Sequence, residues 1–138
     1  MWENPSNEEQ KALLRRVQRI AVVGLSDKPW RDSNSVSQYM LEQGYDIVPV
    51  NPALKEVFGR TCYPSLRDVP GKVDLVNVFR APEHVPEVVH EAMAIHAPAL
   101  WLQDQVVHEA AAQEARDAGM IVVMNDCIMR KHRWLMQP

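Results

Sequence analysis

A strand-like segment followed by polar and basic residues suggests that the chain binds a phosphate group. The apolar run Ile20–Val23 stops at Gly24, where the backbone can turn tightly and approach a ligand. A short polar segment follows, and it contains Ser26, Lys28, Arg31 and Ser33. Hydroxyls, cations and the free N–H groups of a starting helix all stabilise a bound phosphate. This turn therefore predicts a phosphate-bearing ligand, and a nucleotide first; the alternative is a polar loop that binds nothing.

Polar residues also follow each of the other predicted strands. In an open parallel sheet, ligands bind beyond the carboxyl ends of the strands, near the point where the strand order reverses. The strand ends of this chain are therefore candidate binding positions. They carry Asn51, Pro52 and Lys55; Phe79 and Arg80; Gln103 and Asp104; and Asn125, Asp126 and Cys127.

Sequence motifs that are absent from the predicted turns exclude some kinds of nucleotide site. The fingerprint G-x-G-x-x-G of dinucleotide sites is absent, because Gly24 stands without the other two glycines. An NAD site also needs an acid after the second strand, where this chain has Asn51-Pro52 followed by Lys55. A basic residue there suits a phosphorylated ribose, which is compatible with NADP. The sequence contains no G-x-x-x-x-G-K-[ST], which excludes a P-loop.

The elements that position these residues alternate between strand and helix along the chain. This alternation predicts a single Rossmann-like α/β domain, doubly wound, with a mostly parallel five-stranded sheet and helices on both faces. We expect one domain over 1–138, with an N-terminal helix over 6–18, a core over 19–125 and a C-terminal helix over 126–135. Ser6 and Glu9 form the pattern of a capping box for the first helix, and Asp126 is the expected cap of the last. The strands are predicted at 19–24, 45–50, 73–79, 99–102 and 120–124, and the crossover helices at 34–43, 82–95 and 106–118.

Composition limits the partners of the protein. The chain has 138 residues, 46% of them hydrophobic and 24% charged, and a formal net charge of -3. The acidic balance argues against bulk binding of nucleic acid. No apolar run is long enough for a membrane span, and the N-terminus lacks the pattern of a signal peptide. We therefore expect a cytoplasmic protein that binds neither nucleic acid nor membrane; its protein partners are not predicted.

Five segments together resemble the stand-alone CoA-binding domain proteins, which are similar to the N-terminal domain of the succinyl-CoA synthetase α subunit. Their order and spacing match from about Ile20 to Trp134. Each segment alone is a weak signal, and the set is specific. The segments are Ile20–Ser26, Gly44-Tyr45 with Val48–Pro52, Val73–Arg80, Trp101–Gln103 and Cys127.

This resemblance implies coenzyme A, or an acyl-CoA, as the ligand and assigns a role to each segment. The loop with Gly24, Leu25, Ser26, Lys28, Arg31 and Ser33 would hold the diphosphate. The adenosine and its ribose phosphate would be flanked by Asn51, Pro52 and Lys55. The adenine or pantetheine side would be lined by Phe79 and Arg80, and Trp101 and Gln103 would lie further along the pantetheine path.

Two positions depart from the family pattern. Asp32 stands where the family often has proline, and an acid beside a diphosphate weakens binding unless Arg31 or Lys28 pairs with it. Asp104-Gln105 stands where glycine usually follows the Trp-Leu-Gln segment, so a side chain there is expected to narrow the pantetheine path.

Evidence for catalysis in the sequence is weak. We predict no metal site, because no pair of histidines has a zinc-binding spacing, and no catalytic residue. Cys127 is expected to be buried and His132 exposed, although the two could approach each other as a nucleophile and a base. The leading hypothesis is a protein that binds CoA or acyl-CoA without catalysis. The alternatives are a small NADP-dependent or acyl-transfer enzyme, and an interaction module that has lost the ligand.

Overall fold

A computed structural model describes residues 2–137. This part of the chain contains five helices and seven strands, with short 3₁₀ turns at Leu66–Asp68 and Pro82–His84. The helices are α1 Asn7–Arg16, α2 Asp32–Glu42, α3 Val85–Ala94, α4 Glu109–Asp117 and α5 Ile128–Leu135. The strands are β1 Arg19–Val23, β2 Asp46–Val50, β3 Glu56–Val57, β4 Arg60–Thr61, β5 Leu75–Val78, β6 Ala99–Leu102 and β7 Ile121–Val123.

Five of the strands form one parallel sheet in the order β2-β1-β5-β6-β7. The chain moves outward from β1 to β2 and then returns to the other side of β1 with β5, so the strand order reverses between β1 and β5. The predicted doubly wound α/β fold is confirmed. The remaining strands, β3 and β4, form a separate antiparallel hairpin.

Helices cover both faces of the sheet and bury two hydrophobic clusters. On one face, α3 and α4 pack through residues such as Val88 and Ala112. On the other face, α1, α2 and α5 pack through residues such as Leu13, Val36 and Ile128. All four residues of β5 are buried, because a central parallel strand has a helix layer on each side.

The helix termini confirm one predicted cap and correct another. Ser6 and Glu9 form the predicted capping box at the start of α1. The expectation that Asp126 caps the last helix is wrong: the N-cap of α5 is Cys127, and Asp126 Oδ1 accepts from the Cys127 N–H at 2.8 Å. The N–H of Ile128, the first residue of α5, donates instead to Oε1 of Gln103 at 3.1 Å.

The outer edge of β2 is partly covered by the connection that follows it. The N–H of Tyr63 donates to the carbonyl of Pro49 at 3.0 Å, and the N–H of Asn51 donates to the carbonyl of Tyr63 at 2.9 Å. In a parallel strand, the N and C=O of one residue point to the same side. The nitrogen of Pro49 therefore faces away from β1, where the missing N–H costs no bond of the sheet.

No helix within residues 2–137 combines the length and the apolar character that a membrane crossing requires.

Candidate functional site

The turn after β1 is shaped by a glycine that no larger residue can replace without movement. Gly24 has a φ of +88°, and its N–H donates to the carbonyl of Val50 at 2.8 Å. A Cβ at this position would overlap the carbonyl oxygen of Phe79 and lie 3.1 Å from Cδ of Arg80. The turn thus brings the ends of β1, β2 and β5 into contact at the point where the strand order reverses.

The hydroxyls of the predicted phosphate loop hold the loop itself in shape. Ser33 Oγ accepts from the N–H of Ser26 at 3.0 Å, and Ser26 Oγ accepts from the N–H of Lys28 at 3.1 Å. Asn34 Nδ2 donates to the carbonyl of Ser26 at 2.8 Å. Both hydroxyls use an oxygen lone pair here, so each keeps its proton for a ligand. Leu25 is completely buried in the core and offers only its backbone.

Helix α2 begins at this loop without a side-chain cap. Arg31 is its N-cap, with extended backbone and no capping hydrogen bond from its side chain. By contrast, α1 begins with a capping box and α4 is capped by His108, whose Nδ1 accepts from the N–H of Ala111 at 3.1 Å. Uncapped N–H groups and the positive end of the helix dipole favour an anion at the start of α2. The exposed Asp32 lies in this first turn and has no ion-pair partner within residues 2–137.

Two of the cavities among the described residues border Arg80 at the carboxyl end of the sheet, one on each face. The front cavity, of about 410 Å³, lies between the first turns of α2 and α5. Its lining includes Asp32, Val36, Phe79, Gln103, Cys127 and Arg130. The back cavity, of about 310 Å³, lies beside α3. Its lining includes Val23, Pro52, Pro64, His84 and Glu87.

Arg80 lines both cavities and so connects them across the end of the sheet. Its side chain is partly buried, and no carboxylate of the described residues lies within ion-pair distance of it. Lys28, Arg31 and Lys55 are exposed and also lack such a partner among residues 2–137. The carboxyl edge therefore presents four cations that can pair with an anionic ligand.

Gln103 and Asp104 lie side by side at the front cavity, and each has a fixed orientation. Gln103 is 4% exposed, and its Oε1 accepts from the N–H of Ile128 at 3.1 Å. Both carboxylate oxygens of Asp104 accept from Arg130, at 2.8 and 3.0 Å. Hydrogen bonding by this guanidinium lowers the pKa of Asp104. The acid expected to narrow the path is thus paired with a cation across the cavity.

Two predicted site residues, Trp101 and Asn51, are held in structural contacts. Trp101 is completely buried, and its indole N–H donates to the carbonyl of Asp126 at 3.0 Å. Its ring therefore supports the cavity from below and cannot touch a ligand in this arrangement. Asn51 donates from Nδ2 to the carbonyl of Leu25 at 3.0 Å and accepts from the N–H of Ala53 at 2.9 Å. Both ends of this amide are engaged in joining β2 to the loop after β1.

The expected surface position of His132 is wrong, because His132 is buried between two tyrosines. Its Nδ1 lies 2.8 Å from the hydroxyl of Tyr39, and its ring packs edge-on against Tyr45. Burial lowers the pKa of His132. Cys127 is buried as predicted, at 7% exposed, and is one of the residues that line the front cavity. The structure gives no contact between Cys127 and His132, so the two do not form a nucleophile–base pair here.

Some lining residues were missed by sequence reasoning. Met129 and Arg130 line the front cavity from the first turn of α5, and His84 and Glu87 line the back cavity from the segment after β5. The signal was present, since the first turn of any helix that follows a parallel strand begins at the same edge of the sheet.

Comparisons with known proteins find relatives that match nearly the whole chain. The family model of the CoA binding domain matches residues 18–133. The uncharacterized protein YneT of Bacillus subtilis is 45% identical over 130 residues, which cover 94% of this chain and 96% of that protein.

A solved structure and a longer enzyme are also similar. The hypothetical protein from Pyrococcus horikoshii has a TM-score of 0.93 and 41% identity, with 99% of this chain and 100% of that chain covered. An ADP-forming acetate–CoA ligase of Archaeoglobus fulgidus is 31% identical over 72 residues. These residues are 52% of this chain and 10% of the ligase, so the likeness is confined to one segment of that enzyme.

Proposed function

This chain belongs to the CoA binding domain family, and we propose that it binds coenzyme A across the carboxyl end of its sheet. The observation that carries the proposal is the pair of cavities joined by Arg80 at the reversal of strand order. Coenzyme A has two dissimilar arms on one diphosphate, and a site for it needs two pockets on either side of a phosphate-binding turn. In an open α/β sheet, that place is the crevice at the reversal point.

The diphosphate is assigned to the turn between the cavities. Gly24, Ser26 and Ser33 shape this turn, and the uncapped start of α2 supplies backbone donors. Lys28 and Arg31 extend from the same loop, and Arg80 approaches it from β5. A diphosphate here would receive charge from three cations, which offsets the nearby carboxylate of Asp32.

The back cavity suits the adenosine arm. Pro52 and Pro64 give it flat apolar walls, while Lys55 follows on the same connection and is exposed to solvent. A lysine near the ribose supports a phosphorylated sugar, as coenzyme A carries. No acid follows β2 directly, which disfavours the free ribose diol of NAD.

The front cavity suits the pantetheine arm. It is bordered by apolar side chains such as Val106 and Met129 and by the amide of Gln103, and pantetheine likewise combines methyl groups with two amides. Its volume of about 410 Å³ lies within the range of small-molecule sites. The outer side is spanned by the ion pair of Asp104 and Arg130.

Calorimetric titration tests this assignment. We expect coenzyme A to bind the purified protein, 3′-dephospho-CoA to bind more weakly because it lacks the phosphate near Lys55, and NADP and ATP to bind weakest. Arg80→Gln should weaken all coenzyme A species, while the control Arg16→Gln, in an exposed cation at the end of α1, should not. No heat and no rise in melting temperature with millimolar coenzyme A would overturn the proposal.

A further inference from the structure

The back cavity has an acidic side that the assignment of the adenosine arm leaves unused. Glu87 and Glu91 line this cavity from α3, together with His84 at the start of that helix. Glu87 is exposed, and Glu91 is partly buried. Neither carboxylate has an ion-pair partner within residues 2–137. Two charged hydrogen-bond acceptors of this cavity are therefore available to a ligand.

Helix α3 places these two carboxylates at different depths. It follows β5 and runs back toward the amino end of the sheet, so each of its turns lies further from the carboxyl edge. His84, Glu87 and Glu91 share one face of the helix, because they follow one another at spacings of three and four residues. At a rise of about 1.5 Å per residue, Glu91 lies about 10 Å beyond His84 along the axis. Glu91 is therefore the deeper of the two acceptors, away from the diphosphate turn.

The other sides of the back cavity are apolar or already hydrogen-bonded. Val88 is buried beside it, and Pro52 and Pro64 border it from the connection after β2. Ser65 Oγ donates to Asp68 Oδ2 at 2.9 Å, so its proton is used within the protein. A flat heterocyclic ring fits between these walls, and a donor on the edge of that ring would find a charged acceptor on α3.

A carboxylate can discriminate between purine bases by the group at carbon 6 of the ring. An ionised carboxylate accepts hydrogen bonds and donates none. Adenine carries an amino group at carbon 6, which donates, whereas hypoxanthine carries a carbonyl there, which accepts. A carboxylate facing this position therefore binds adenine, and it leaves the carbonyl of hypoxanthine without a donor.

We propose that Glu91 determines the base specificity of the back cavity by accepting a hydrogen bond from the exocyclic amino group of the adenine of coenzyme A. This inference rests on the proposed function, because the adenosine arm must enter that cavity first. Glu91 is assigned rather than Glu87 because water screens a partly buried charge less than an exposed one. The ribose phosphate is assigned to Lys55 on the connection after β2, which leaves the side formed by α3 to the base.

Calorimetric titration of the full chain tests the inference with coenzyme A and with its analogue in which hypoxanthine replaces adenine. We expect coenzyme A to bind at least about tenfold more tightly than the analogue, because the analogue loses one charge-assisted hydrogen bond. The two ligands share the diphosphate, the ribose phosphate and the pantetheine arm, so the comparison isolates the base. Equal affinities would overturn the inference.

A variant of Glu91 tests which residue is responsible. The amide of Glu91→Gln can accept from adenine or donate to hypoxanthine, so the preference for coenzyme A should fall by about tenfold while the melting temperature changes little. Glu83→Gln is the matched control, since Glu83 is an exposed acid of the preceding 3₁₀ turn. It should keep the full preference. An unchanged preference in Glu91→Gln, or a loss seen only in Glu87→Gln, would overturn the assignment to Glu91.

The same titrations separate this inference from the proposed function. Tight binding of both coenzyme A and its hypoxanthine analogue by the wild-type protein would overturn the base specificity and leave the binding proposal standing. Absence of binding by either ligand would overturn both.

Discussion

The two ends of the sheet satisfy their polar groups in different ways. At the amino end, Asp74 Oδ2 accepts from the N–H groups of Gln18 and Arg19 at 3.1 and 2.9 Å. The guanidinium of Arg19 donates to the carbonyls of Pro70 and Lys72. Charges and backbone groups at this end therefore bind one another.

At the carboxyl end, the same kinds of group are left available. Helix α2 starts without a side-chain cap, and Arg80 has no carboxylate partner among residues 2–137. Donors that reach solvent bind water, which a ligand can replace at little cost to the fold. If coenzyme A binds at the carboxyl end, as proposed, substitutions at the two ends of the sheet should separate stability from binding.

The largest effect is expected at Gly24, where both properties fail together. Gly24→Ala places a Cβ against the carbonyl of Phe79 and forces a non-glycine residue to a φ of +88°. The left-handed strain alone costs about 1–2 kcal/mol, and the overlap adds to it. Urea unfolding should show a loss of more than about 2 kcal/mol, with no measurable coenzyme A binding.

Gly44→Ala is the matched control, because Gly44 has a φ of +97° with open space around its Cβ position. It should lose only the strain energy and bind coenzyme A normally. Equal losses in the two variants would show that contact between the β1 and β5 turns does not matter.

The next largest effect is a loss of stability caused by a substitution at the amino end of the sheet. Asp74→Ala leaves two backbone N–H groups without their acceptor, which should cost about 2 kcal/mol in urea unfolding. The affinity for coenzyme A, measured by calorimetry at a temperature where the variant is folded, should stay the same. Asp117→Ala, in an exposed acid bonded to the side chain of Gln113, serves as the control. A loss of affinity in Asp74→Ala would contradict the division between the two ends.

For Arg80 we expect the opposite result, a loss of affinity without a loss of stability. Arg80→Gln removes the cation that lines both cavities and should weaken coenzyme A binding about tenfold, or about 1.4 kcal/mol. The urea midpoint should hardly move, since Arg80 makes no ion pair within the described chain. A destabilised protein with normal affinity would assign Arg80 to the fold instead.

The smallest expected effect is a dependence of stability on pH that arises from His132. Burial holds the pKa of His132 below its ordinary value of 6.5. The unfolded chain then binds a proton more readily than the folded one, so stability falls as the pH drops through and below 6.5. Melting temperatures between pH 7 and pH 5 should fall less steeply in His132→Gln. Parallel slopes in the two proteins would exclude His132 as the cause.

Much of the fold was predictable because alternation of apolar strands and amphipathic helices is a periodic, local signal. The positions of β1 and β6 and the capping box of α1 follow directly from it. The sequence also predicted the edge of the sheet at which the candidate site lies, because parallel strands share one carboxyl edge.

Side-chain orientation was less predictable, because it depends on packing between distant segments. Trp101 and His132 could each be placed on an element but not assigned to its interior. The pairing of Asp104 with Arg130 joins two helix-start regions that are far apart in sequence. The alternation of strands and helices does not predict that Arg130 would pair with Asp104.

The connection after β2 has a second consequence, for how molecules of this protein meet one another. An open strand edge can recruit strands from other molecules and lead to aggregation. Here Tyr63 occupies the backbone groups of Pro49 and Asn51, and the proline offers no donor to an incoming strand. The segment that contains Pro52 and Lys55 thus also covers the edge of the sheet. Variants that loosen this segment should precipitate on warming before they lose their helices.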